Sequence, residues 1–199
     1  MVLEFIADKV AQYFTLYVKR EESETAKLKL GIEIAVHNIL MISVILLIAG
    51  YLSILKQVLI FFSAFGILRM TSGGIHLKSS IGCLIWSTLL IIGGVKITPF
   101  INISQRELVV VFFVLIIITF QLAPQGTENN PTNKKDIPKL KYQSCILLII
   151  YTVISIVYDK IGTLIMLASL FQIITLVLQY IKKFGIYEKC HLRKTKKDE

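Results

Sequence analysis

The residues best suited to covalent chemistry in this chain are a histidine and a cysteine that stand close together. The segment 66–88 reads GILRMTSGGIHLKSSIGCLIWST and holds Arg69, Gly73, Gly74, His76 and Cys83 within fifteen residues. A thiol attacks a carbonyl as the thiolate, so it needs a base or a cation beside it. An imidazole can serve as both. His76 and Cys83 therefore form a nucleophile–base candidate. On one straight helix, residues seven apart share a face but lie roughly 10 Å apart along the axis. A working pair must approach to about 3 Å. The chain is thus expected to leave helical geometry near His76 and fold back towards Cys83. Gly73 and Gly74 before the histidine, and Gly82 before the cysteine, permit such a bend.

Other pairings are poorer. Cys145 lies in the apolar string CILLII, where burial quiets a thiol. Cys190 and His191 are adjacent, and neighbours on a helix point apart. Glu33 and His37 lie in the first apolar segment, and an ionisable residue inside a membrane is a functional candidate by default. Glu33 is kept as a site-supporting candidate, whereas His37 is expected to bond a neighbouring helix. The competing account of the main pair is bland. A cysteine in an apolar helix is ordinarily a small hydrophobe, and a histidine at a membrane edge is ordinarily interfacial. Residue types alone leave both accounts open.

The elements that must position these residues follow from composition. The chain has 199 residues, enough for one domain, is 55% hydrophobic and is only 18% charged. Its mean hydropathy is +0.71. The apolar residues come in blocks near the roughly 17–25 residues that cross a bilayer as a helix. No dyad alternation points to a membrane β-barrel. The expected class is an all-α integral membrane protein. Its net charge of +9 sits at the ends of the apolar blocks, which marks membrane orientation and argues against nucleic acid as a partner. The N-terminus MVLEFIADK has no basic region ahead of an apolar one, so no secretory signal peptide is expected. The three scattered cysteines form neither a disulfide framework nor a zinc pattern, and no metal or cofactor is expected.

Residues 1–29 are expected to hold an amphipathic interfacial helix, with Leu3, Ile6, Val10, Tyr13, Phe14 and Tyr17 on one face, and then a polar linker, KREESETAK. Residues 30–181 form the membrane domain. Six apolar segments fall near 30–50, 51–68, 80–98, 107–123, 144–158 and 162–181. The second contains Lys56 and the third is rich in glycine, so either can span or re-enter against protein. Within this domain lie the catalytic segment 69–83 and a basic loop, 124–143, carrying Lys134, Lys135, Lys139 and Lys141. A basic tail, 182–199, follows. Lysine-rich loops face the cytoplasm, so both termini are expected on the cytoplasmic side of the membrane. Four spans with a re-entrant pair would satisfy the same charges.

At these residues the chain resembles the accessory gene regulator B (AgrB) family. The string Arg69-x-x-x-Gly73-Gly74-x-His76, with Cys83 seven residues on, looks like that family's catalytic region. The stretch Ala123-Pro124-Gln125-Gly126-Thr127-Glu128-Asn129-Asn130-Pro131 is similar to its AP…T.N.P loop, and Gly31-Ile32-Glu33 is a weaker echo. Gly126 stands where many relatives would carry an acid. The resemblance implies a membrane cysteine endopeptidase of peptide quorum sensing. It makes Cys83 the nucleophile and His76 its base, with Arg69, Gly73 and Gly74 supporting the site. The implied partner is a precursor signal peptide of the AgrD kind, with an amphipathic leader, a short signal and an acidic tail. The tail is cut off and the signal closes to a thiolactone or lactone through an acyl-thioester on the enzyme. Lys134, Lys135, Lys139 and Lys141 are weak candidates for holding the acidic tail, beside their role in topology and in binding anionic lipid. The resemblance also admits a homodimer, although nothing in the spans requires one. Two rival readings remain at this level: a small transporter or exporter, and a non-catalytic membrane scaffold. Few intramembrane charges, Lys56 and Glu33 among them, argue against a proton-coupled pump.

Overall fold

The computed structural model describes residue 9 and residues 22–74, 80–126, 133 and 135–195. Most of the expected interfacial helix over residues 2–22 lies outside these. The described chain is helical apart from short turns. Helix α1 runs Glu22–Tyr51, α2 Leu55–Ser72, α3 Ser80–Ile97, α4 Gln105–Leu122, α5 Ile137–Val157 and α6 Asp159–Thr195, with a single 3-10 turn, Thr98–Phe100, after α3. Among the described residues, six stretches are long and apolar enough to cross a membrane: Ile34–Tyr51, Leu55–Ser72, Gly82–Phe100, Gln105–Leu122, Ile137–Val157 and Ile161–Phe184. The protein is a multi-pass membrane protein. Both segments for which a re-entrant path was open form helices of 18 residues, α2 and α3.

The chain divides into two units, residues 1–53 and 54–199. The first contains α1. Its described part runs from Glu22, inside the stretch expected to be a linker. The polar end of a span can stay helical in water.

In the second unit α6 is the central helix. Its spanning stretch is 61% buried, against 17–33% for those of α2 to α5. Leu164 to Ala168, Ile173 and Leu176 are buried on α6, together with Val58, Phe61 and Leu68 of α2, Phe112 of α4 and Leu148 of α5. Val110, Phe113 and Phe120 of α4 and Ile146, Ile149 and Val153 of α5 face outward, as lipid-facing residues must. The Tyr151 hydroxyl donates to the Ala64 carbonyl at 3.1 Å and ties α5 to α2.

The two ends of this bundle differ. At one end a capping box starts α4, the Glu107 amide meeting Ser104 Oγ at 3.4 Å and the Ser104 amide meeting Glu107 Oε2 at 2.8 Å. There Gln105 Nε2 donates to Asp159 Oδ1 at 2.8 Å, joining the starts of α4 and α6. Arg106 and Asp159 therefore share one face. At the other end, the finish of α2 meets the finish of α4.

Helix bounds run past several expected borders. Helix α5 begins at Ile137 with Pro138 in its first turn, a position that suits proline because no helical N–H is needed there. Lys139 and Lys141 consequently lie on helix, not in loop. Helix α6 continues through the basic tail to Thr195.

Candidate functional site

The site is built where α2 stops. The Gly73 amide donates to the Arg69 carbonyl at 2.9 Å and closes the last turn. Gly73 and Gly74 then take φ values of 75° and 146°, a region that L side chains rarely adopt. A second reason for glycine is contact. A Cβ on Gly73 would overlap the Gln125 carbonyl, with the carbonyl carbon 2.9 Å away. Gly73 and Gln125 form an isolated parallel bridge, and the Gln125 amide donates to the Ser72 carbonyl at 3.0 Å. The Arg-Gly-Gly string and the Ala-Pro-Gln-Gly string, separate in sequence, thus lie against each other.

A third element closes the junction. Gln172, Thr175 and Gln179 stand three and four residues apart on α6 and are buried, so they share a helix face. Gln172 Nε2 donates to Ser72 Oγ at 3.0 Å and to the Gly73 carbonyl at 2.5 Å. Gln179 Nε2 donates to the Gly126 carbonyl at 3.3 Å. Thr175 Oγ1 donates within α6 to the Gln172 carbonyl at 2.8 Å and meets Gln172 Oε1 at 3.2 Å. A Cβ on Gly74 would stand 2.8 Å from Thr175 Oγ1, 3.3 Å from Arg69 Nη1 and 3.4 Å from Gln172 Nε2. Three hydrogen-bonding groups converge on that glycine. Sequence reasoning passed over these α6 residues. Their signal was three polar side chains on one face of an apolar span, the usual mark of helix–helix hydrogen bonds in membranes.

Cys83, near the start of α3, is half-buried. It lines a cavity of about 20 Å³ with Arg69, Phe65, Trp86 and Thr175. The Arg69 guanidinium is 5.9 Å from the Phe65 ring centroid. A larger apolar groove of about 320 Å³ between α3 and α6 shares Trp86, Leu90 and Thr175 with this cavity.

His76 and Lys134 lie outside the described residues. So does the segment 75–79, and with it the expected fold-back of His76. Among the remaining candidates, Arg69, Gly73, Gly74 and Cys83 come together. Glu33 lies on α1, in the other unit, and its side chain is outside the described residues. Lys135 and Lys139 are exposed, while Lys141 Nζ sits 4.8 Å from the Phe120 ring centroid. Cys145 is half-buried on α5 and does not line the Cys83 cavity. No group of three metal-ligating side chains occurs among the described residues.

The architecture is that of an all-α multi-pass membrane protein with a thiol and a guanidinium in one cleft beneath a glycine turn. The model of the accessory gene regulator B family matches residues 6–176, and the chain belongs to that family. It is 31% identical over 179 residues to an AgrB-like protein of Clostridium acetobutylicum, covering 88% of this chain and 86% of the relative. It is 27% identical to the accessory gene regulator protein B of Staphylococcus aureus strain bovine RF122, covering 88% and 96%. An AgrB-like protein of Listeria innocua is 29% identical over 165 residues, covering 79% of each chain. No solved structure matches the chain. Membership of the family implies a role in the agr quorum-sensing system.

Proposed function

We propose that this protein is a membrane cysteine endopeptidase that removes the C-terminal tail of a precursor signal peptide and cyclises the remainder. One observation carries the reading: Cys83 and Arg69 share a cavity beside Gly74, and His76 follows Gly74 by two residues.

In this reading His76 takes the Cys83 proton, and Arg69 stabilises the thiolate. The sulfur attacks the carbonyl at the end of the signal, and the C–N bond to the tail breaks. The imidazolium returns its proton to the leaving amine. The acyl group now sits on Cys83 as a thioester. A thiol or hydroxyl of the signal gives its proton to His76 and attacks the same carbonyl. The ring closes, and the Cys83 thiolate leaves. Exchange of one thioester for another is nearly balanced, and holding the internal nucleophile in place supplies effective concentration. The apolar groove beside the cavity favours cyclisation over hydrolysis by limiting water. The cell membrane, with both termini and the lysine-bearing start of α5 on the cytoplasmic side, is the proposed setting. Lys135 and Lys139 would there meet the acidic tail.

The test is processing of the partner precursor in membranes containing wild type, Cys83→Ala, His76→Ala, Cys145→Ala or Cys190→Ala. Loss in the first two variants alone, with all of them inserted, supports the reading. Cleavage by Cys83→Ala removes it and reopens the transporter and scaffold readings.

A further inference from the structure

The cavity at Cys83 is too small for what a peptide substrate brings to it. A carbonyl carried to the sulfur arrives with the side chains of its own residue and of those before it. The cavity measures about 20 Å³, room for about one water-sized group. A carbonyl oxygen fits there and a side chain does not. The adjoining space is the groove of about 320 Å³ between α3 and α6, which shares Trp86, Leu90 and Thr175 with the cavity.

One face of α3 joins the two. Cys83, Trp86, Leu90, Gly93 and Ile97 follow one another at steps of three and four, so they share a side of the helix. Cys83 lines the cavity at the start of that face, and Gly93 and Ile97 line the groove further along. Gly93 lies ten residues past Cys83, about 15 Å along the axis. About four residues of extended peptide cover that length.

The groove selects for apolar content. Thr175 is its one hydroxyl-bearing residue, and that hydroxyl donates to the Gln172 carbonyl at 2.8 Å. A charged group in the groove would give up its water and meet no counter-ion on the lining. The acidic tail is therefore shut out, and the acyl side of the cut is the side that fits.

Two glycines shape the groove in different ways. Glycine is a poor helix former, so each calls for a reason. For Gly94 the reason is packing. A Cβ there would stand 2.6 Å from Phe61 Cζ and 2.9 Å from Phe171 Cε2, rings that meet edge-on at 6.0 Å. Gly93 has no such neighbour, since a Cβ there meets no atom within 4 Å. Its missing side chain leaves open room in the groove.

We propose that this groove seats the apolar side chains of the precursor residues just ahead of the cut, and that Gly93 leaves the room they occupy. The proposal rests on the peptidase reading and deepens it by naming the substrate class on the acyl side.

The experiment uses the full chain in membranes and precursors with alanine or phenylalanine at each of the four positions ahead of the cut, one at a time, leaving the ring nucleophile unchanged. The preference at a position is the ratio of kcat/KM for the two precursors. Wild type is expected to favour phenylalanine by at least about tenfold at one or more positions. Gly93→Leu fills the groove and is expected to lower that preference about tenfold or more. Gly66→Leu puts the same side chain on α2, where a Cβ also meets nothing within 4 Å, and is expected to keep it. Cleavage by Cys83→Ala would remove the peptidase reading and the proposal together. With Cys83→Ala inactive, the peptidase reading stands and three results overturn the proposal alone. They are no preference in wild type, an unchanged preference in Gly93→Leu, and equal slowing of every precursor by Gly93→Leu, which a groove filled by a lipid chain would give. Should Gly93→Leu fail to insert, Ile174→Phe narrows the groove from α6 and decides by the same ratio. A lowered preference supports the proposal, and a wild-type ratio overturns it.

Discussion

Replacing Gly73 by alanine tests whether the junction of α2 with the loop after α4 holds the site. The residue has φ of 75°, and a side chain there costs about 1–2 kcal/mol in backbone strain. The new Cβ would also overlap the Gln125 carbonyl. That group is backbone and cannot rotate aside as a side chain would. Relief requires the loop to move off the end of α2, and comparable overpacking costs about 1–3 kcal/mol. Together these give about 2–5 kcal/mol, and each 1.4 kcal/mol is about a tenfold change in population.

Insertion should survive, because it follows the hydropathy of the spans and not the geometry of one turn. The expected result is Gly73→Ala protein at normal level in the membrane with precursor processing reduced at least about tenfold. Gly66→Ala is the control. Gly66 lies on the same helix, and a Cβ there meets no atom within 4 Å. Alanine is up to about 1 kcal/mol better than glycine inside a helix, so this variant should process normally and melt slightly higher in detergent. Processing by Gly73→Ala within about threefold of wild type, less than 0.7 kcal/mol on the same scale, would show that the bridge to Gln125 does not hold the site.

Three other outcomes are expected. Tyr151→Phe loses the 3.1 Å bond to the Ala64 carbonyl, so its detergent melting point should fall by about 2–4 °C, the equivalent of roughly 1 kcal/mol, with processing unchanged. Reversing Lys135 and Lys139 to glutamate should weaken processing of a precursor with an acidic tail and spare one with a neutral tail, the difference shrinking as salt is raised. Single cysteines introduced at Lys139 and at Arg106 in a chain lacking Cys83, Cys145 and Cys190 should react with membrane-impermeant maleimide from opposite sides, the first from the cytoplasmic side.

The spans were legible because lipid forces long apolar blocks. Their ends were less so. Lys139, Lys141 and residues 182–195 are polar yet helical, because a helix leaving the bilayer needs no apolar residues to continue. The bend at Gly73 and Gly74 was also legible, since the pair gave the chain a place to turn before His76. What the bend packs against was not. Gln125 lies far along the chain, and Gln172 is 100 residues from Ser72. In a span averaged for hydropathy, Gln172 and Gln179 are swamped by their apolar neighbours, and nothing local names the carbonyls they serve.

The distant partners follow from a requirement the glycines themselves create. A chain that leaves helical geometry at the edge of a bilayer gives up its internal hydrogen bonds where water is scarce. Two of the carbonyls freed at this turn have found other partners. The Ser72 carbonyl takes the Gln125 amide, and the Gly73 carbonyl takes Gln172. The Gly126 carbonyl takes Gln179. The same contacts that satisfy the backbone also remove the freedom that glycine introduced. A glycine turn at a membrane edge can therefore be a rigid support for chemistry only if the rest of the bundle supplies the donors, and here the central helix supplies two of them.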